Sequence, residues 1–291
     1  MEIALHLGAH FTDQDALVRC LMRNRPLLLA QQIAVPGPGR YRQQLRQLAF
    51  EMRERETGVQ TQELLLDGIL DDDDVRRVVF SSEDFLSLRK WSINAGRFYH
   101  AAGDRLTLLR HLFPAARIEL FLAIRNPATF LPALSASASA RALETAMAGT
   151  DPAALRWSAT IAAIREAQPD LPLTVWCDED TPLLWAEVLR DVSGHADQTV
   201  LDGWLAWYWD LVTPKGHEAM RRWFAANPPE NDLHRRKMMS ALLARFARPE
   251  VLEVEAPLPG WSEATVEALS ASYDEDLDLI AAMPGVTLLE P

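Results

Sequence analysis

Apolar positions along this chain follow two rhythms. Short, nearly continuous apolar runs occur at Ile3–Leu7, Val75–Ser81, Arg117–Ile124 and Leu171–Trp176, each bounded by turn residues. Runs of this length and density are expected of strands buried on both faces. Between them, apolar residues recur three and four apart, the spacing of one helix face. This pattern predicts a helix from Asp13 with Ala16, Leu17, Cys20 and Leu21 inward, and another over Tyr41–Arg55 with Leu45, Leu48 and Ala49 inward. Further helices are predicted at Gln62–Leu70, from Ser82 with Glu83 and Asp84 in its first turn, at Asp104–Phe113, and from Asn126-Pro127. Two more run from Asp151-Pro152 to Ala167 and over Glu179–Val192. Proline just inside a helix start is tolerated because the N–H it lacks has no intrahelical partner there. Gln32–Gly39 reads as an extended Pro/Gly loop and Asp71–Asp74 as a solvated turn. From Trp204 the chain is helical over Thr213–Ala226, Glu230–Phe246 and Trp261–Met283, and it closes on a short apolar stretch, Val286–Leu289.

Strands alternating with helices predict an α/β fold with a mostly parallel sheet covered on both faces. The 291 residues fit one such domain over 1–291, with the helical part from about 203 to 291 packed on it. In sheets of this kind ligands bind beyond the carboxyl ends of the strands. Here those ends are Gly8–Asp13, Ser81–Asp84, Arg125–Pro127 and Cys177–Asp180.

Composition narrows the function classes. Apolar residues make up 48% and charged residues 24%, as in ordinary globular chains, and runs such as Pro26–Ala30 and Leu120–Ile124 are far too short to span a membrane. The opening MEIALHLGAH has an early acid and a strand-like run ending in a glycine turn, so it reads as a first strand and not as a secretion signal. Cys20 and Cys177 sit in apolar patterns without metal-ligand spacing, which predicts reduced, buried thiols in a cytoplasmic protein. Of the net charge of −12, residues 249–291 carry −10, yet this tail keeps helical periodicity and aromatics and reads as folded. An acidic chain without a basic patch is expected to bind neither nucleic acid nor an anionic membrane. Lysine occurs three times, at Lys90, Lys215 and Lys237, so the first 89 residues have none. Neither a Ser-His-Asp spacing nor a dinucleotide fingerprint nor a zinc pattern is present.

The first strand, loop and helix read LHLGAHFTDQDALVRCL. This segment resembles the opening of the bacterial sulfotransferase family, roughly L-H-[IL]-G-x-H-K-T-G-T-T-[SA]-[LI]-Q. Leu5, His6, Leu7, Gly8, His10, Thr12, Ala16 and Leu17 align with that pattern without gaps. The likeness continues in VVFSSEDF, ELFLAIRNP, LTVWCDED and the C-terminal YDEDLDLIAAMPGVTLLEP, in order along nearly the whole chain. The resemblance implies a three-layer fold of the P-loop NTPase kind, with a mostly parallel sheet and extra C-terminal helices. It implies transfer of a sulfo group from 3′-phosphoadenosine 5′-phosphosulfate (PAPS) to a hydroxyl or amine, leaving 3′-phosphoadenosine 5′-phosphate (PAP). The acceptor would be a small molecule or a protein. By the same resemblance, Gly8, Ala9, His10, Phe11, Thr12, Asp13, Gln14 and Asp15 form the loop that would cradle the 5′-phosphosulfate on backbone N–H groups, and Arg125 would bind the 3′-phosphate. Glu83 falls where some members keep a catalytic base, and His10 belongs to the retained loop pattern.

The loop departs from that pattern where charge matters. Phe11 stands at the position of the lysine, Asp13 at that of the glycine, and Gln14 and Asp15 at those of the two hydroxyl residues. A phenyl ring cannot stabilise developing negative charge, and two carboxylates would repel a docking anion by roughly 1–4 kcal/mol per pair. Carboxylates at a helix N-terminus are themselves favourable, so Asp13 and Asp15 are expected to cap the following helix. The serine usual eight positions after the arginine is Ala133 here, with Ser135 and Ser137 nearby. Arg125 is thus read either as a phosphate ligand or as a salt bridge at a strand end. For Glu83 the simpler expectation is a first-turn acid after Ser82, and for His10 a loop histidine bonded to backbone. Three functions follow. One is a sulfotransferase-like protein with an impaired donor loop, repurposed for binding. Another is an active enzyme using Arg40 or Arg125 in place of lysine. The third is a Mg²⁺- or Mn²⁺-dependent activity at a cluster of His10, Asp13, Asp15 and Glu83. The segment Trp204–Trp209 is read as core packing of the C-terminal helices, or as a pocket lid or partner surface.

Overall fold

The computed structural model describes residues 1–52, 58–72, 74–137, 140–248, 251, 258 and 260–291. Outside them lie residues 53–55 of the helix predicted from Tyr41, Asp73 of the acidic run, and Glu250, Glu253 and Glu255 of the acidic tail. The elements in chain order are β1 (Glu2–His6), α1 (Ala16–Arg23), α2 (Arg25–Leu29), β2 (Ile33–Ala34), α3 (Pro38–Glu51), α4 (Val59–Ile69), β3 (Arg77–Ser81), β4 (Ile93–Asn94) and β5 (Arg97–Phe98). There follow α5 (Ala102–His111), β6 (Arg117–Ile124), α6 (Pro127–Ser137), α7 (Ala140–Met147), α8 (Trp157–Ala167), β7 (Leu173–Cys177) and α9 (Thr181–Ser193). The chain ends with α10 (Pro214–Ala226), α11 (Asp232–Phe246), α12 (Glu263–Ala281) and β8 (Val286–Leu289).

Among the described residues, six strands form one sheet in the order β2-β3-β1-β6-β7-β8, with every pairing parallel. The first strand is central: Leu5 stands opposite Phe80 on one side and Leu120 on the other. Alternation along β1 sends Ile3 and Leu5 to one face, where α3, α5, α8 and α12 bury Tyr41, Leu106, Trp157 and Tyr273. Ala4 faces the opposite core, built with Leu17 and Leu21 of α1, Trp185 and Val188 of α9, Met220 of α10 and Met239 of α11. The result is the three-layer α/β architecture that the strand–helix alternation predicts.

Four differences from the sequence pattern have local causes. No helix opens at Ser82: the Ser82 hydroxyl accepts the Asp84 N–H at 3.2 Å, a short turn that competes with a helical first turn. The chain instead enters the β4–β5 hairpin, turning at Ala95 and Gly96, both with positive φ. A Cβ on Gly96 would lie 1.9 Å from the Thr150 hydroxyl, so only glycine fits there. Asp151-Pro152 starts a single 3₁₀ turn, capped by the Asp151 carboxylate on the Ala153 N–H, and α8 begins separately at Trp157. Ile33–Ala34, inside the stretch read as a loop, and Val286–Leu289, read only as a short apolar stretch, become the two edge strands.

Both cysteines are buried and free, and burial pushes the Cys20 thiol up to about 11 and the Cys177 thiol to about 12. Among the described residues no helix is long and apolar enough to cross a membrane.

The acidic C-terminal stretch is integral to the fold. Asp276 of α12 is buried, and its Oδ2 accepts the Trp157 N–H at 2.6 Å and the Ser158 N–H at 3.1 Å. A residue 119 positions downstream thus supplies the anionic cap that the head of α8 lacks locally. Replacing it removes the cap and leaves two buried donors unpaired. Asp276→Ala is expected to lower stability by about 2 kcal/mol, and Asp276→Asn by less, in urea denaturation followed by circular dichroism.

Candidate functional site

The loop between β1 and α1 leaves the centre of the sheet at the carboxyl ends of the strands. Leu7 and Ala9 extend the ladder, donating their N–H groups to Phe121 O at 2.8 Å and Ala123 O at 3.1 Å. Beyond them the backbone coils tightly, with positive φ at Gly8, Phe11, Gln14 and Asp15, and the Thr12 hydroxyl donates across the turn to Ala9 O at 2.7 Å. All four strand ends singled out from the sequence meet around this loop.

His10 is fully buried and bonded to side chains rather than to backbone acceptors. Its backbone N–H donates to the Tyr99 hydroxyl oxygen at 2.8 Å, and its Nδ1 lies 2.7 Å from the same oxygen. The hydroxyl, having accepted one hydrogen, gives its own to Nδ1. This leaves the Nε2–H for Asp84 Oδ1 at 3.3 Å, and that hydrogen bond holds the Asp84 carboxyl below the usual range. The chain Asp84–His10–Tyr99 therefore clamps the loop to the end of β3 and to the residue after β5. Tyr99 was not found from sequence, because nothing in its own segment marks it. Its hydroxyl is pushed up by burial.

Phe11 is partly buried and packs its ring against the core. The ring meets Phe130 edge-on, centroids 5.7 Å apart, and the Arg89 guanidinium lies 5.2 Å from its centre. Arg89 also donates to Glu83 Oε1 at 2.9 Å. Glu83 is accordingly an ion-paired turn residue and no first-turn helix acid.

The two loop carboxylates take different roles. Asp13 Oδ2 accepts the Leu17 N–H at 3.0 Å and Asp13 O accepts the Ala16 N–H at 2.8 Å, so this residue covers the head of α1 as expected. Asp15 caps nothing; it forms a two-pronged pair with Arg42, at 2.5 and 3.1 Å, and that hydrogen bonding holds its carboxyl below the usual range. Arg42 is anchored in turn to Ser81 O at 2.8 Å.

Arg125 is committed inside the protein. Its Nη1 donates to Phe11 O, its Nε donates to Thr129 Oγ1 at 2.9 Å, and Nη1 lies 3.9 Å from Asp178 Oδ2. The salt-bridge expectation thus describes one of its contacts, and the bond to the loop carbonyl is new. Burial pushes the Asp178 carboxyl up to about 7, against the opposing pull of Arg125 and with Glu179 and Asp13 adding to the rise. Ser137 donates to Leu134 O within α6. Arg40 pairs with Asp71 at 2.5 Å on the exposed surface.

Beneath the loop, His6 stacks on Trp176 with centroids 5.7 Å apart and pairs through Nδ1 with Ser81 Oγ at 2.9 Å. Among the described residues its buried Nε2 finds no partner, and burial lowers its pKa. Among the described residues, the backbone N–H groups of residues 11–15 donate to no group of the chain.

His10, Asp13, Asp15 and Glu83 do not converge on a common point: each is bound to a different partner. Among the described residues no group of three or more His, Cys, Asp or Glu is arranged to hold a metal ion. The aromatic segment forms a 3₁₀ helix over Trp204–Asp210 with Tyr208 buried. It is packed on the core, as expected, with Trp207 stacked on Trp185 at 5.4 Å. Trp207 and Trp185 also wall a cleft of about 420 Å³ that Thr12, Asp13, Gln14 and Arg19 close from the loop side.

Asp178 offers a check on this electrostatic arrangement. A carboxyl raised in the folded state favours folding while it is protonated and opposes it once ionised, so its effect grows as the pH rises from about 4 through 7. Asp178→Asn is expected to raise stability at pH 8, with the gain shrinking to nothing near pH 4, in denaturant titrations at the two pH values.

Comparison of the chain with protein-family models, with curated proteins and with solved structures returns no match.

Proposed function

We propose that this protein is a sulfotransferase-like binding protein whose donor loop no longer takes PAPS or PAP. The observation that carries this proposal is the Asp13 carboxylate on the Leu17 N–H at the head of α1. A helix head in this position attracts an anion, and here the chain supplies its own. The surrounding charges support the same conclusion. Arg125 is turned onto the Phe11 carbonyl, Arg42 neutralises Asp15, and the Phe11 ring packs against the core where a lysine would have to reach outward. An incoming 5′-phosphosulfate would meet Asp13 and the Asp178–Glu179 pair, with the nearest cations already engaged. Binding of another kind has a place in the cleft beside the loop, where Trp185 and Trp207 provide apolar surface and Arg19 and Arg23 provide charge.

A second proposal, an active PAPS-dependent transferase, draws on one feature: the unpaired N–H groups of residues 11–15 are donors of the kind a phosphate cradle uses. Its cation would have to be Arg125, released from the Phe11 carbonyl, because Arg40 is occupied by Asp71 at the surface. Titration calorimetry with PAP separates the two. The binding-protein proposal expects no saturable heat at millimolar ligand, and a gain of binding in Phe11→Lys/Asp13→Gly. Micromolar affinity in the unaltered protein would refute it in favour of the transferase.

A further inference from the structure

A second pocket lies at the other end of the sheet. Helix α9 starts at the carboxyl end of β7 and runs back along the sheet. Its last turn therefore reaches the amino ends of the strands, where Val192 O accepts from Arg77 at the start of β3. Between this end of α9, the segment 195–201, the start of the 3₁₀ helix, the last turn of α10 and the first turn of α11 is a cavity of about 300 Å³. That volume is at the small end of the range for ligand sites. Its apolar wall is made by Leu189, Leu201, Trp204 and Phe224. The two rings stand nearly perpendicular, centroids 5.1 Å apart at 76°, and form a corner into which a third ring can stack.

One buried polar group faces this corner with a fixed role. His195 is 8% exposed and its Nδ1 lies 2.6 Å from Ser193 Oγ. The Ser193 hydroxyl spends its single hydrogen on Leu189 O at 2.7 Å, so it accepts from His195, and the imidazole carries its proton on Nδ1. Nε2 is then a bare acceptor, and among the described residues nothing donates to it. Burial, with Arg190 adding, pushes the imidazole down to about 4, so it stays neutral near pH 7.

The charges at the rim select against ions. Arg190 is held by Asp232 at 2.8 Å, with Asp191 and Asp197 each at 3.5 Å, and Arg235 is bonded to the same Asp232. These guanidinium groups and carboxylates are paired with one another, so the rim offers no free countercharge to an incoming ion. We propose that this pocket binds a neutral, planar aromatic molecule that donates one N–H or O–H hydrogen bond to His195 Nε2. The site is distinct from the loop at the opposite end of the sheet and does not depend on the sulfotransferase-like proposal.

Indole and 1-methylindole are suitable probes, since they differ in the one donor the site is expected to require. In titration calorimetry of the unaltered protein, indole should bind saturably at one site and 1-methylindole at least tenfold more weakly. In long-range ¹H–¹⁵N spectra the His195 Nε2 resonance should move with indole and stay in place with 1-methylindole. Ala186→Leu, which lengthens a side chain lining the cavity and leaves His195 intact, should weaken indole binding at least tenfold. Absence of saturable indole binding, equal affinity for the two probes, or indole binding unchanged by Ala186→Leu would each overturn the proposal. If that variant does not fold, the comparison of the two probes on the unaltered protein decides.

Discussion

A helix that begins at the carboxyl end of a central parallel strand concentrates partial positive charge at the mouth of the sheet, and some negative group has to meet it. In this protein the group is Asp13, three residues before α1 starts and bonded to its second residue. Much of the surrounding arrangement follows from that choice. Burial drives the nearby Asp178 toward its neutral form, with Glu179 and the Asp13 carboxylate adding to the rise. The arginine at the end of β6 is left to bind a backbone carbonyl and a hydroxyl. Asp15, with no helix head left to cap, is matched by Arg42 from α3. Each charge is answered within the chain, and the loop is held as a closed electrostatic unit.

The same loop is also held by packing. His10 is locked between Tyr99 and Asp84, Phe11 is wedged against Phe130, and His6 stacks on Trp176 under the glycine turn. Four strand ends therefore contribute to one rigid assembly, so a substitution at any of them is transmitted to the others through contacts of a few ångströms. A loop built for exchange of a large anionic ligand would keep more of its charge unpaired. This contrast connects the sequence departures at Phe11, Asp13 and Asp15 to the proposed loss of donor binding.

The strands were legible because β1, β3, β6 and β7 are buried on both faces and so leave continuous apolar runs. Of the edge strands, Val286–Leu289 showed only as a short apolar stretch, and the two residues Ile33–Ala34 were lost inside a Pro/Gly loop, since so short a margin carries too little pattern. The helix wrongly expected at Ser82 shows the limit of local signals: Ser-Glu-Asp suits a first turn, but the serine side chain closed a different turn before one could form. For the site, the loop residues and Arg125 could be picked out by their place after strands. Their partners could not: Tyr99 lies 89 positions from His10, and Arg42 lies 27 from Asp15. Such pairings depend on three-dimensional closure, and a single sequence records them only as ordinary tyrosines and arginines. His195 carries no signal in the sequence for the same reason, its role being set by a serine hydroxyl whose own hydrogen is already directed to Leu189.

The cap that Asp276 places on α8 has a consequence for how the chain is made. On a ribosome, α8 emerges more than a hundred residues before the carboxylate that completes its first turn, and β7 emerges long before β8 arrives to cover its open edge. Until Asp276 emerges the head of α8 is bare, and until Val286–Leu289 follows β7 has an unpaired edge, the kind of surface that chaperones recognise and other chains can invade. The order of translation therefore places Asp276 and β8 after the core that they complete, and a ribosome stalled shortly before them would leave a sticky intermediate.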